Sequence, residues 1–394
     1  MTQDNPTKHV EATGFKEHPV HVGDEKSGWT VLPAQLQFLH YDGADRLFPF
    51  GVAQMDNGEV ILLASAERVS PAHFQPVTAF SRDGGATWSP FQIVPDVPSG
   101  RPMVLTYFGE GKLSFQGAGD AASSVVRLFS FDYGRTWPQR LPLTTPEGQG
   151  WNTEGNALVE LGGDDEGDRV TEVGYKAYSA KSWPKAFDGY IRWSSDGGRT
   201  WEREAKPHAW QITDQWRDHH EVRGISEGSL ARAANGDLVA ALRLDMHPRF
   251  YLDGAEEAVD FDDSLEGLAV SISKDDGRTW SPMQTLFEAG RHHPHLMNLP
   301  DGRIVMTYIV RVDVRDGKLA SYRRGCEALI SDDHGRTWDL SKRYILDECE
   351  FFDGQKWFNG ETGHLFSTLL DDGHILTTYG KYFTNGACLI KWKP

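Results

Sequence analysis

Arginine, carboxylate, histidine and tyrosine recur at equivalent places along this chain. Arg46, Arg101, Glu154, Glu227, His295 and His364 stand where apolar stretches begin, and Glu67, Arg68, Tyr175, Arg243, Arg311 and Tyr379 stand where the following stretches end. Arginine forks bind carboxylates and sulfates through paired hydrogen bonds, so several converging arginines point to an anionic ligand group. Glutamate and histidine move protons near neutral pH, and tyrosine can act as a nucleophile or as an acid or base. Two carboxylates at one mouth would suit an inverting glycosidase, with Glu154, Glu227 and Asp218 as candidates. A clamped uronate carboxylate beside a histidine or tyrosine base would suit a lyase. His219–His220–Glu221 and His292–His293–Pro294–His295 contain metal-ligand types but lack the i, i+4 spacing of a zincin helix. They read as lining for a sugar pocket or as structural hydrogen-bonders, and no metal or cofactor is expected.

The elements that must position these residues are repetitive. The pattern S-x-D-x-G-x-T-W occurs five times: Ser81–Trp88, Ser130–Trp137, Ser194–Trp201, Ser273–Trp280 and Ser331–Trp338. Its Asp can accept backbone N–H bonds of its own turn, its Gly supplies a positive φ, and its Trp is an apolar plug. These are hairpin turns rather than reactive sites. Between them, two apolar strands flank a turn in 52–64, 105–116, 230–243, 296–308 and 366–379, with a longer version in 158–175. Asn-Gly and Asp-Gly between alternating apolar residues are strong hairpin signals.

Six such units, five with an octapeptide, predict a six-bladed all-β propeller in one domain spanning 1–394, with 1–28 as an N-terminal extension. The last unit has no octapeptide, so residues 29–41 are expected to supply its outer strand and close the ring beside 387–392. In a propeller, strand starts and the ends of the next strands face one rim, which gathers the reactive residues at one mouth. The long stretches 207–226 and 244–267 are rich in aromatic and polar side chains, a mixture that suits sugar rings.

The bulk composition narrows the partners. A formal net charge of −17 disfavours a nucleic-acid or anionic-membrane surface. Three cysteines, Cys326, Cys349 and Cys388, are too few for a disulfide framework. Residues 1–20 hold no apolar signal-peptide core, and no apolar run is long enough to span a membrane. The expectation is a cytoplasmic protein, or an exported one whose leader is absent from this chain; the oligomeric state is left open.

The octapeptides and two longer segments resemble the sialidase (neuraminidase) superfamily and its bacterial BNR/Asp-box members, over nearly the whole chain. DRLFPFGVAQMDNGEVILLASAER, from Asp45 to Arg68, is similar to that family's first-blade segment. SEGSLARAANGDLVAALR, from Ser226 to Arg243, is similar to its Glu-to-Arg segment. The resemblance implies an anion clamp of Arg46, Arg68, Arg243 and either Arg324, Arg323 or Arg311, with Glu227 as the activating glutamate. Two departures accompany it. VSPAHFQPVTAF, where the family has its acid/base aspartate, holds His73 as its only titratable residue; His364 stands where the family has its tyrosine nucleophile, with Tyr379 the nearest tyrosine by topology. The expectation is therefore a glycan-active enzyme, an exo-acting sialidase-like glycoside hydrolase on a terminal acidic sugar. Its catalytic candidates are Glu227, His364, Tyr379 and His295, and its binding candidates are Arg46, Arg68, Arg243, Arg311, Arg324 and Glu154. A polysaccharide lyase and a non-catalytic carbohydrate-binding propeller are the alternatives.

Overall fold

The structure is a computed structural model that describes residues 10–120, 124–143, 152–162, 168–177, 187–211, 222–246, 266–315, 318–321, 323–350, 362–381 and 385–394. Asp218, His219, His220 and Glu221, half of 207–226 and most of 244–267, lie outside the described residues. Among the described residues no helix is long and apolar enough to cross a membrane. The chain divides into two compact units, residues 1–18, 33–142 and 366–394 in the first and 19–32 and 143–365 in the second.

In the first unit, Arg46–Gln54, Val60–Arg68, His73–Ser81 and Gln92–Ile93 pair in chain order as one antiparallel sheet. Met103–Gly109, Lys112–Ala118, Val125–Ser130 and Gln139–Pro142 form the next. Ile375–Lys381 pairs with Gly386–Trp392, which pairs in turn with Gly28–Tyr41 through Ala387↔Leu39 to Lys391↔Gln35. The strand expected from residues 29–41 thus lies beside the C-terminal strand.

The second unit repeats the plan. Its sheets are Leu158–Glu160, Arg169–Ala177, Phe187–Ser194 and Arg203–Ala205; Val222–Arg232, Leu238–Met246, Gly267–Ser273 and Gln284–Phe287; and Arg291–Asn298, Ile304–Val310, Arg323–Ser331 and Arg343–Glu350. The stretch read as an N-terminal extension also holds a strand, Lys16–Asp24, whose His21–Gly23 pairs with Arg343–Ile345.

Local chemistry explains the regularity. At Asn57-Gly58, Asn235-Gly236, Asp301-Gly302 and Asp372-Gly373 the glycine N–H donates three residues back, to Met55, Ala233, Leu299 and Leu370. These glycines have φ of 81°, 89°, 89° and 78°, the left-handed value that a short hairpin loop requires. Each octapeptide repeats one set of bonds. In the second copy, Asp132 Oδ1 accepts from Thr136 N at 2.9 Å, Oδ2 accepts from Thr136 Oγ1 at 2.6 Å, and Gly134 N donates to Ser130 Oγ at 2.9 Å. A Cβ on Gly134 would lie 2.5 Å from Ile61, so this turn is pressed against the preceding sheet. Trp137 fills the adjoining core, its ring 4.7 Å from that of Phe115.

The first strand in chain order of four sheets breaks this regularity at one recurring point. Pairing slips between Pro49 and Gly51, Met103 and Thr106, Ile225 and Gly228, and His292 and His295. A bulge adds residues to one strand and re-aims the side chains it carries. Ser226–Glu227 and His293–Pro294 are such inserted pairs.

Candidate functional site

The bulges of the second unit gather the chemistry. Glu227, swung out of register, faces Arg243 on the paired strand, and Arg243 Nη1 donates to Glu227 Oε1 at 2.7 Å. The same guanidinium lies 3.2 Å from Asp245 and 3.5 Å from Glu266, so three carboxylates surround it. The other oxygen of Glu227 is 3.2 Å from Nδ1 of His292. Arg311 Nε donates to His292 Nε2 at 2.8 Å, which leaves the proton of the neutral ring on Nδ1, facing Glu227. Burial lowers the His292 pKa to about 4, and the neighbouring Arg311 charge adds to this, so the ring is neutral at pH 7. Burial opposes the charge on Glu227, but Arg243 and the histidines outweigh it and hold the carboxyl well below the usual range.

Glu154 and Tyr175 form the second half of the cluster. Asn152 and Tyr175 exchange backbone hydrogen bonds at 3.2 and 2.9 Å, which brings Glu154 alongside the start of that sheet. The Tyr175 hydroxyl donates to Glu154 Oε1. Burial and the Glu154 and Glu227 charges push the phenol well above its usual value, so it is protonated at rest.

His293 and His364 complete the group. Their rings meet edge to face with centroids 5.3 Å apart, and ligand atoms of Glu154, His293 and His364 lie within 4.8 Å of one another. Both histidines adopt left-handed backbone, at φ 52° and 49°, a costly conformation for a residue with a Cβ and one enriched at functional sites. The Leu365 N–H donates to His293 Nδ1 at 3.2 Å. Burial holds His293 below the usual histidine range and takes His295, itself buried, down to about 3.

The structure therefore brings together Glu154, Glu227, Arg243, Arg311 and His364 from the sequence-derived candidates. The sequence reading took His292 and His293 as pocket lining or structural hydrogen-bonders, and it did not pair Tyr175 with Glu154. Tyr175 was visible as a strand-end residue, whereas the bulge that turns His293 has no sequence signature. Arg324 is buried in the same unit. His295 is buried in that unit too, and the remaining candidates belong to the first unit: Arg46 is half-buried, Arg68 is exposed opposite His73, and Tyr379 is fully buried. Glu67, also there, accepts from Arg101 at 2.7 Å.

No protein-family model and no curated protein matches the chain. Solved structures do. A Dyadobacter fermentans protein of unknown function is similar over 97% of this chain and 100% of its own, at 17% identity and a TM-score of 0.59. The Hadza microbial sialidase Hz136 is similar over 89% of this chain and 66% of its own, at 16% identity and a TM-score of 0.55. The intramolecular trans-sialidase from Ruminococcus gnavus follows at 88% and 94% coverage, 14% identity and a TM-score of 0.53. At such identities the likeness is one of architecture: the chain has a sialidase-like, all-β fold.

Proposed function

We propose that this protein is a glycan-active enzyme, a sialidase-like glycoside hydrolase that removes a terminal acidic sugar, and that its sheets close as six blades. The observation that carries the reading is the Tyr175 phenol donating to the Glu154 carboxylate beside ionised Glu227. A neutral phenol can be approached by an anionic sugar without charge repulsion. Glu154 takes the phenol proton as the Tyr175 oxygen bonds to the anomeric carbon, and the bond to the leaving oxygen breaks. That oxygen takes up a proton from solvent, relayed past the His293–His364 pair. Water then cleaves the tyrosyl–sugar bond: its hydroxyl stays on the anomeric carbon, its proton returns to solvent by the same route, and Glu154 gives the phenol back its proton. Arg243 and His292 hold Glu227 ionised. Arg311 and Arg324, in the same unit, are the candidates for binding the substrate's carboxylate, with Arg243 shared among its three carboxylates.

A lyase is the second reading, favoured by the neutral histidines beside a tyrosine: a base there could abstract the proton next to a uronate carboxylate. The experiment is a panel of sialosides, uronate oligosaccharides and neutral aryl glycosides, followed for released sugar and for ultraviolet absorbance of a new C=C bond. Sugar release without new absorbance is the expected result. New absorbance moves the protein to the lyases, and silence in both channels leaves a carbohydrate-binding propeller.

A further inference from the structure

We propose that Glu154, His293 and His364 bind a divalent transition-metal cation of the zinc type, with a coordination position left open toward substrate. Two imidazoles and one carboxylate are the donor set such ions prefer over calcium or magnesium, and three protein ligands leave room for water or a substrate oxygen. The spacing fits, because ligand atoms within 4.8 Å of one another can share one ion at ordinary bond lengths. The Tyr175 hydroxyl bonds to Oε1 of Glu154 and fixes that carboxylate beside the two rings. The Leu365 amide bonds to His293 Nδ1 at 3.2 Å, so an ion taken at that nitrogen displaces one neutral hydrogen bond and gains a metal bond.

Carboxylates gather around the site: Glu154 accepts from Tyr175, and Glu227, Asp245 and Glu266 surround Arg243. Such a field favours a divalent cation. The ion also answers the departure at the acid/base aspartate. A water on a bound zinc-type ion has a pKa near neutrality and can deliver the proton that the missing aspartate would supply. This role in turnover rests on the glycan reading of the same site; occupancy by the ion does not.

The test uses the full chain, stripped with chelator and titrated with Zn²⁺ by calorimetry, with metal content measured after gel filtration. Wild type is expected to hold one equivalent. His364→Asn and His293→Asn, chosen because asparagine tolerates a left-handed backbone, should lose more than roughly 100-fold in affinity, beyond the usual cost of altering an outer-shell partner. His374→Ala, which removes an exposed histidine paired with Asp372, should bind as wild type does. Circular dichroism checks that each variant is folded. No binding by folded wild type, or equal binding by His364→Asn, overturns the proposal. Turnover that is indifferent to chelator, with no metal bound, removes the ion and keeps the glycan reading. Metal bound at one equivalent with no turnover across the panel does the reverse.

Discussion

Two buried charge networks lie in the second unit, and both contain a tyrosine that donates to a glutamate. In one, Tyr308 bonds to Glu327 at 3.0 Å. Glu327 is held by Arg291 and Arg323 at 3.2 and 2.5 Å, and the same arginines grip Asp313 at 2.7 and 2.8 Å. Burial opposes the charge on Glu327, but the arginines take its pKa down to about 2, and Tyr308 is wholly enclosed. In the other network Tyr175 bonds to Glu154 with its side chain half-buried, and histidines stand where arginines stand in the first. A Tyr–Glu pair therefore does not mark an active site by itself. Access to the phenol and titratable or ligating neighbours separate a reactive pair from a structural one.

The largest expected effect sharpens that contrast directly. Tyr175→Phe should lower kcat by at least about 10³-fold, as loss of a nucleophile does. Tyr308→Phe should leave kcat within about twofold and cost about 1–3 kcal/mol of stability, because Glu327 loses a buried partner. Steady-state kinetics and urea unfolding read both, and the reversed pattern would move the site to the arginine-rich network.

Next come the arginines, where the networks should behave alike. Arg243→Met and Arg291→Met each strand buried carboxylates, and each should cost about 3–5 kcal/mol in denaturant unfolding. A loss below about 1 kcal/mol at Arg243 would mean that its carboxylates are already shielded by water.

A pH effect should separate the networks again. His292 and His295 are held at about 4 and about 3 against an ordinary 6.5, so the unfolded chain binds protons at these rings well before the folded protein does. Unfolding then takes up protons, and stability present above pH 6.5 is lost as the pH falls toward these folded values. Between about pH 6.5 and 5 the loss should be on the order of a few kcal/mol, before most carboxylates titrate. His292→Asn should flatten that slope; an unchanged slope would mean the ring is already charged. The smallest effect lies outside both networks. Ser331, whose Oγ contacts Asp333 and the Gly335 amide, is one of five equivalents, and Ser331→Ala should cost only about 1–2 kcal/mol with turnover intact.

How much of this was legible in the sequence follows from where the fold is regular. The five octapeptides and the Asn-Gly and Asp-Gly turns announced the sheets because each copy satisfies its own backbone locally, as Asp132 and Gly58 do. The outer strand from Gly28–Tyr41 could be inferred because Gly386–Trp392 otherwise had no partner for its edge. Residues 16–24 could not, since a single strand without a hairpin partner nearby carries no local signal. In the site, Glu227, Arg243 and Glu154 were readable from strand ends, whereas the bulge that sets His293 against His364 depends on pairing with strands distant in the chain. Arg243 read as a ligand-binding arginine for the same reason: nothing in its neighbourhood announced that Glu266 would come within 3.5 Å.

The central claim is that the phenol of Tyr175 attacks the sugar. The most direct test incubates the protein with a fluorinated acidic sugar that forms a slowly hydrolysed glycosyl-enzyme, then maps the adduct by peptide mass spectrometry. The account predicts a single adduct on the peptide containing Tyr175, absent in Tyr175→Phe. Turnover of the natural glycan with the adduct on Tyr379, Glu227 or His364 instead would contradict it.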